Sequence, residues 1–447
     1  MTLEAIEQAS RAEIEALQGR LLRAQVENAW KNVPFYRQRW EAAGVRPENI
    51  CTPADLPKLP LVTKEDFDQD LIENPPFGSY QGNARPVRIH ASSGTTGAPK
   101  PFFNTQADLD RIAELSARRL RAQGVTPNDL VQVTLPFSLY IGGPIAIEGA
   151  MKLGAGVLAT GTGAMTPSRQ QIAIARRWRP TVLCSTPSYA LRLTEVAREM
   201  GLDPARDFNF HMIYVTAESC PPETRAELAR RWNARVYDNF GSVEAAASTY
   251  ECRCQCGWHI SEDAYIFEVV DPHTGEPFPP GKQGALVVTS LFREASPFFR
   301  YRVGDLVSLW DDPCECGRTF RRMSPVKGRA DEMLKLRGIS VYPAAVERVL
   351  RTFPELGAEW FLVMEQRGGV EEIVVQIEAA HPLPEQEREG LASRVADRLK
   401  REIGIRLEVE IFDPGALVSP EAAEGRVKAR RIIQRTPHSP EPVKNRE

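Results

Sequence analysis

Between residues 105 and 240, helical stretches alternate with four short apolar runs: "DLVQVTLPF" (129–137), "GAGVLAT" (154–160), "PTVLCST" (180–186) and "FHMIYVTAE" (210–218). Strands that alternate with helices at this spacing predict α/β layers around a largely parallel or mixed sheet. Residues 3–45 read as helical, with Leu17, Leu21, Leu22 and Val26 on one stripe. Around 276–310 the texture changes to short strands divided by Gly and Pro, as in a small β subdomain. After Arg329 a compact second unit is expected: helices near 343–352 and 385–402, with strands near 359–365, 372–379 and 406–412. The fold class is therefore α/β, with a large N-terminal domain of layered sheets and helices (1–330) and a small C-terminal α/β domain (331–435). The proline-rich, charged end (436–447) is expected to be disordered. No internal repeat is visible.

Composition narrows the function classes. A formal net charge of −3 in 447 residues argues against a general nucleic-acid binder or a polybasic membrane protein. No run approaches a membrane span, and Met1 to Gln18 has neither the basic start nor the apolar middle of a signal peptide. The expected compartment is the cytoplasm. Five of the eight cysteines crowd into two short segments, which suggests a metal or local structure more than a secreted disulfide framework.

The chemistry starts at "ASSGTTGAPK" (91–100). It follows a strand-like run and offers mobile backbone N–H groups, four hydroxyls and Lys100, donors that suit a phosphate. It is not a Walker A loop, because Lys100 lies between Pro99 and Pro101 instead of following a Gly and preceding Ser or Thr. Three later segments read sensibly beside it. "VYDNFGSVEAA" (236–246) sets Asp238, Asn239, Ser242 and Glu244 around Gly241, where polar groups can meet a base edge and a carboxylate can hold Mg²⁺. "FRYRVGDLV" (299–307) places Asp305 where a carboxylate can accept both ribose hydroxyls. "GRADEMLKLRGISVYP" (328–343) opens the small domain with charge and glycine, as an interdomain pivot does.

In this order and spacing the segments resemble the acyl-adenylate-forming enzymes, and within them the phenylacetate-coenzyme A ligase family. The likeness runs almost end to end, from "ENAWKNVPFYRQRWEAAGV" (27–45) and "DLPKLPLVTKEDF" (55–67) through "TPSYALRL" (186–193) to "GRADEMLKLRGISVYPAAVE" (328–347). The resemblance implies a reaction in two halves. A carboxylate attacks the α-phosphate of ATP, giving acyl-AMP and pyrophosphate; a thiol, usually of coenzyme A, then displaces AMP. It also implies roles: Ser92, Ser93, Thr95, Thr96 and Lys100 hold the phosphates, while Ala217, Glu218, Asp238, Asn239 and Phe240 line the adenine pocket. Glu244 holds Mg²⁺, Asp305 binds the ribose, and Asp331 is the pivot of a mobile small domain.

The catalytic lysine of the family lies near the C-terminus, and "EGRVKARRII" (424–433) aligns it at Lys428, with Arg426 as the alternative alignment. The family's Tyr-Gly-Leu-Ser-Glu is represented by Asn239-Phe240-Gly241-Ser242-Val243-Glu244, which keeps the Gly-x-x-Glu geometry, and Glu332 stands where a second aspartate often follows the pivot. "ECRCQCGWH" (251–259) and "PCECG" (313–317) offer thiolates and an imidazole for a tetrahedral zinc. Some family members carry a Cys, His and Cys-x-Cys set here, which Cys252, His259, Cys314 and Cys316 match. Cys254 and Cys256 are extra, so the choice of thiols stays open. A structural role for the metal is expected, since the adenylation chemistry already has Mg²⁺ and Lys428.

The acid pocket is expected after "LPFSLYIGGP" (135–144), walled by Phe137, Tyr140, Ile141 and Gly142, with Ala217 near the reacting centre. Aromatic and small residues together suit a flat aryl ring of the benzoate or arylacetate kind. Expected ligands are thus ATP, Mg²⁺, an aryl acid, coenzyme A and a structural Zn²⁺. A carrier protein, an amine or another acid is the alternative acceptor, a homodimer is an admissible assembly, and neither nucleic acid nor membrane is a partner.

Overall fold

The structure is a computed structural model, and it describes residues 4–92, 99–272, 274–329, 334–336, 339–367, 370–418 and 431–434. The chain forms two compact units, one of residues 1–217 and 228–326, the other of residues 218–227 and 327–447.

The first unit opens with helices α1 (Arg11–Asn32) and α2 (Pro34–Ala42). The helical stretch expected over 3–45 is thus broken, because Val33 is extended and Pro34, which lacks an N–H, starts a new helix at its first position. Ser10 caps α1 with Glu13 in a reciprocal capping box. Leu22 and Val26 are fully buried in the main core beside Tyr36, Trp40 and Phe299. Helix α3 (Lys64–Glu73) then leads to a hairpin of β1 (Arg88–Ser92) and β2 (Lys100–Asn104), in which Ser92 pairs with Lys100. The loop at its tip, with Ser93, Thr95 and Thr96, lies outside the described residues.

Then follow α4 (Gln106–Gln123), β3 (Leu130–Val133), α5 (Gly142–Leu153), β4 (Gly156–Ala159), α6 (Ser168–Trp178), β5 (Val182–Ser185), α7 (Pro187–Glu199), β6 (Met212–Thr216), α8 (Pro222–Trp232) and β7 (Arg235–Asn239). The strands make a five-stranded sheet in the order β4-β3-β5-β6-β7. All its ladders are parallel. Each expected apolar run contains one of these strands. Helices cover a parallel sheet on both faces, so β5 and β6 are buried at every position and read as unbroken apolar runs.

The β-rich stretch holds β8 (Thr249–Glu251), β9 (Trp258–Ile260), β10 (Tyr265–Val270), β11 (Gly284–Ser290), β12 (Tyr301–Val307), β13 (Leu309–Trp310) and β14 (Arg322–Met323). They form two antiparallel sheets, β10-β11-β12 and β13-β14-β9-β8.

The second unit contains β15 (Leu334–Leu336), β16 (Ile339–Val341), α9 (Pro343–Leu350), β17 (Leu356–Arg367), β18 (Val370–Ala379), α10 (Glu385–Ile403), β19 (Glu408–Phe412) and β20 (Ile432–Gln434). Its sheet runs β19-β18-β17-β20, with an antiparallel centre and parallel edges. Trp360, Val375, Ile377, Val395 and Leu399 are fully buried in its core. Among the described residues, no helix is long and apolar enough to cross a membrane.

Candidate active site

In open α/β sheets, ligands bind at the carboxyl ends of the strands, and Ala217, Asp238, Asn239 and Phe240 fall there. Asp238 and Asn239 end β7 and are 5% and 3% exposed. Asp238 receives the N–H of Asn239 on Oδ1 at 2.8 Å, and its own N–H donates to Glu251 Oε2 at 2.7 Å. Asn239 accepts from Gln123 Nε2 at 2.7 Å, which ties the strand end to α4. Phe240 stacks on Trp258 at 6.1 Å between centroids. Ala217, just after β6, has φ +73°. That is a left-handed conformation that costs a non-glycine residue roughly 1–3 kcal/mol, and such strain clusters at ligand sites. Glu218 belongs to the second unit.

The turn after Phe240 requires glycine, because a Cβ at Gly241 would lie 2.3 Å from the carbonyl oxygen of Ala246. It delivers Glu244, which is 7% exposed and accepts a hydrogen bond from the Tyr301 hydroxyl at 3.3 Å. Arg293 pins the backbone of this turn by donating to the Glu244 carbonyl at 2.8 Å, and it also donates to Asn104 Oδ1. Tyr301 opens β12, the strand that carries the buried Asp305. Tyr301 and Arg293 were not singled out from the sequence. Only the position of Tyr301 inside the quoted "FRYRVGDLV" pointed to it.

Lys100 is nearly buried, and its Nζ lies 2.6 Å from Asp68 Oδ1 on α3. Its ammonium is therefore tied to α3, from the residue that pairs with Ser92 at the loop end of the hairpin. Among the expected acid-pocket residues, Phe137 packs on the core of the parallel sheet, whereas Ile141 is 3% exposed within the main core. Tyr140 folds back over the start of α5: a Cβ at Gly142 would fall 2.4 Å from its ring. The carbonyl of Leu139 accepts from the N–H of Ala91 at 3.0 Å and lies 3.1 Å from His90 Nδ1, joining this strap to β1. Lys428, Arg426, Asp331 and Glu332 lie outside the described residues.

The two cysteine segments meet. Single ligand atoms of Cys252, His259, Cys314 and Cys316 all lie within 4.8 Å of one another. Cys252 Sγ to Cys314 Sγ is 3.7 Å, and Cys316 Sγ to His259 Nε2 is 3.4 Å. Tetrahedral zinc with bonds of ~2.3 Å to sulfur and ~2.0 Å to nitrogen spaces its ligands by about 3.5–3.8 Å. His259 Nδ1 faces the carbonyl oxygen of Phe320 at 3.2 Å. A carbonyl can only accept, so the proton sits on Nδ1 and Nε2 turns its lone pair to the sulfurs. Of the extra cysteines, Cys256 Sγ is 3.4 Å from Cys314 but is taken by the Arg322 guanidinium at 2.8 Å. Hydrogen bonding to Cys316 and burial push the Cys252 thiol up, and burial and neighbouring sulfurs push Cys314 up to about 12. Hydrogen bonds from Cys252 and His259 hold Cys316 far down. Three thiolates so close are tolerable only with a cation among them, so the donor set fits Zn²⁺.

The family described as AMP-binding enzyme matches residues 44–292, and the AMP-binding enzyme C-terminal domain matches residues 338–435. The chain belongs to the AMP-binding enzymes. This AMP-binding enzyme is 34% identical to the phenylacetate-coenzyme A ligase of Thermus thermophilus, over 96% of this chain and 98% of that one. It is 35% identical to the phenylacetate-coenzyme A ligase of Escherichia coli, over 95% and 97%. The solved structure of 2-hydroxyisobutyryl-CoA ligase in the postadenylation state with 2-HIB-AMP matches with a TM-score of 0.88 and 29% identity, covering 97% of this chain and 94% of that one. The same ligase with 2-HIB-AMP and CoA in the thioesterification state matches with a TM-score of 0.72 at 29% identity, over the same shares. The fold is thus that of the adenylate-forming ligases, and this AMP-binding enzyme is an AMP-forming acid–thiol ligase, as the sequence resemblance implied.

Proposed function

We propose that this AMP-binding enzyme joins an aryl acid of the arylacetate or benzoate kind to coenzyme A through an aryl-adenylate. The observation that carries this reading is the full-length likeness to ligases named for phenylacetate. The half-buried Phe137 and Tyr140 on the strap beside the sheet support it, because they offer ring faces to a flat substrate. In the first half-reaction a carboxylate oxygen attacks the α-phosphorus of ATP, and the bond to pyrophosphate breaks. In the second, a thiolate attacks the acyl carbon and AMP leaves.

An anion approaches an anion in the first step, so the protein's work is positioning and charge neutralisation. Asn239 and Phe240 bound the adenine, Asp305 receives the ribose hydroxyls, and Ser92, Ser93, Thr95, Thr96 and Lys100 hold the phosphates. Mg²⁺, when bound, neutralises phosphate charge, and Glu244 is the carboxylate that holds it. Lys428 supplies the ammonium beside the α-phosphate, on a small domain that turns about Asp331. Zn²⁺ on Cys252, His259, Cys314 and Cys316 is structural, since four protein ligands close the site to substrate.

The test is product analysis. Enzyme, ATP, Mg²⁺, coenzyme A and a panel of aryl acids should yield aryl-CoA and AMP in equal amounts. Consumption of ATP with AMP but no thioester would move the acceptor to a carrier protein or an amine.

A further inference from the structure

Arg119 is the most anomalous charge in the first unit. It lies in the last third of α4, where "ARRLRAQ" reads as a solvated basic face, yet it is 4% exposed. Its neighbour Arg118 is equally buried and fully paired, donating to both oxygens of Asp263 and to Glu4. Arg119 has no such partner: no ion pair or hydrogen bond reaches it among the described residues, and its buried Nε and Nη2 are unsatisfied. The groups that act most strongly on its charge, burial apart, are Tyr214, Cys184, Tyr140 and Tyr265, none of them an anion at neutral pH. On β5 the hydroxyl of Ser185, next to Cys184, is also fully buried and without a partner. A guanidinium cannot shed its proton to escape burial, so an unpaired one is costly and calls for an anion.

The place of this charge identifies the anion. Tyr140 belongs to the strap over the expected acid pocket, and Tyr214 pairs in register with Cys184 across β5 and β6. One turn along α4, Gln123 holds Asn239 of the expected adenine pocket. Arg119 is therefore a buried charge under the influence of both the strap residue Tyr140 and the sheet residues Tyr214 and Cys184. Tyr214 precedes the strained Ala217 by three residues, about 10 Å of extended chain. That offset is too deep for the carboxylate that must reach the α-phosphate, and it matches the far end of an aryl acid.

We infer that Arg119 is a specificity-determining residue that binds a second carboxylate at the end of the aryl acid remote from the reacting carboxylate. The inference rests on the aryl-acid reading proposed above. A site with buried donors rejects ligands that leave them unpaired far more strongly than an apolar pocket rejects a missing methylene.

The test compares matched acids, such as phenylacetate with carboxyphenylacetate and benzoate with phthalate isomers, in acid-dependent pyrophosphate exchange. The native enzyme should favour a ring-carboxylated acid over its parent by at least about 10²-fold in kcat/KM. Arg119→Met should reverse that order, gaining on the parent acids and losing the carboxylated ones. Thermal shift without ATP gives a second reading: the carboxylated acid should stabilise the native protein and leave Arg119→Met unmoved, while the unliganded variant melts no lower than the native protein. Native enzyme that uses parent and carboxylated acids equally, or a variant that keeps the native order, would overturn the role of Arg119. Activity on the parent acids in that outcome would leave the aryl-acid reading standing, whereas exchange driven by no aryl acid would remove both. The native comparison decides the matter even if the variant does not fold.

Discussion

Tyr301 on β12 donates its hydroxyl to Glu244 Oε1 across 3.3 Å, so the strand that carries Asp305 is tied to the turn that carries the candidate Mg²⁺ ligand. The two carboxylates belong to sequence segments far apart, and this bond with the Arg293 anchor on the Glu244 backbone fixes their elements together. If Glu244 holds the metal, its charge matters more than its hydrogen bond. Glu244→Gln should lower acid-dependent pyrophosphate exchange by about 10²–10³-fold at saturating Mg²⁺, the usual cost of one well-placed electrostatic group. Tyr301→Phe should cost about tenfold, the low end for a hydrogen bond to a charged group, since this one is 3.3 Å long. Equal losses in the two variants would assign the effect to packing.

The cysteine cluster predicts one tightly bound zinc per chain. Cys314→Ser removes a ligand from the centre of the cluster, 3.7 Å from Cys252 and 3.4 Å from Cys256. Zinc content should fall well below one per chain, and stability should fall by at least about 2 kcal/mol, because binding free energy at a structural site is folding free energy. Cys254→Ser should keep both. Elemental analysis and thermal melting check this, and native protein purified without chelators yet free of zinc would remove the site.

The proposed role of Lys428 confines it to the adenylation step. Lys428→Ala should lose pyrophosphate exchange by about 10²–10³-fold and still form thioester from a supplied aryl-adenylate and coenzyme A. Arg426→Ala should leave exchange mostly intact. Near-normal exchange in the lysine variant, with loss in the arginine variant, would select the alternative alignment.

Asp263 gives a pH prediction. Burial alone would raise its pKa, but hydrogen bonds and charge from Arg118 and Arg111 outweigh burial and hold it below the usual carboxylate value. A carboxyl whose folded pKa is depressed contributes stability above its unfolded pKa of about 3.9 and loses it as pH falls through the folded value. Asp263→Asn should therefore lower stability at pH 7 and flatten the acid limb of the stability curve below about pH 4. An unchanged acid limb would show that the Arg118 pair does not couple to folding.

What the sequence disclosed follows from how local each feature is. The strands β5 and β6 were legible because a parallel strand buried on both faces leaves an uninterrupted apolar run. The edge elements β15, β16 and β20 have three residues each, too few for any periodicity to show, and none was expected. Pro34 marked the break between α1 and α2, but the stripe from Leu17 to Val26 lies wholly in α1 and stops short of it. The metal cluster was legible because its ligands come in tight pairs, and Cys256 was separated from them only by its contact with Arg322. Arg293 and Tyr301 act on a residue about fifty positions away through folded contacts, which no local pattern encodes. Arg119 was hidden by its neighbours, since a run of arginines on a helix resembles a solvated face until burial is known.

The central claim is that the chain adenylates an aryl acid. Its most direct test is exchange of labelled pyrophosphate into ATP by the purified protein with Mg²⁺ and no coenzyme A, acid by acid. Exchange should be absent without acid, and aryl acids should drive it with a kcat/KM above that of acetate, 2-hydroxyisobutyrate or a long-chain fatty acid. Exchange driven best by one of those aliphatic acids, or by no acid at all, would contradict the account.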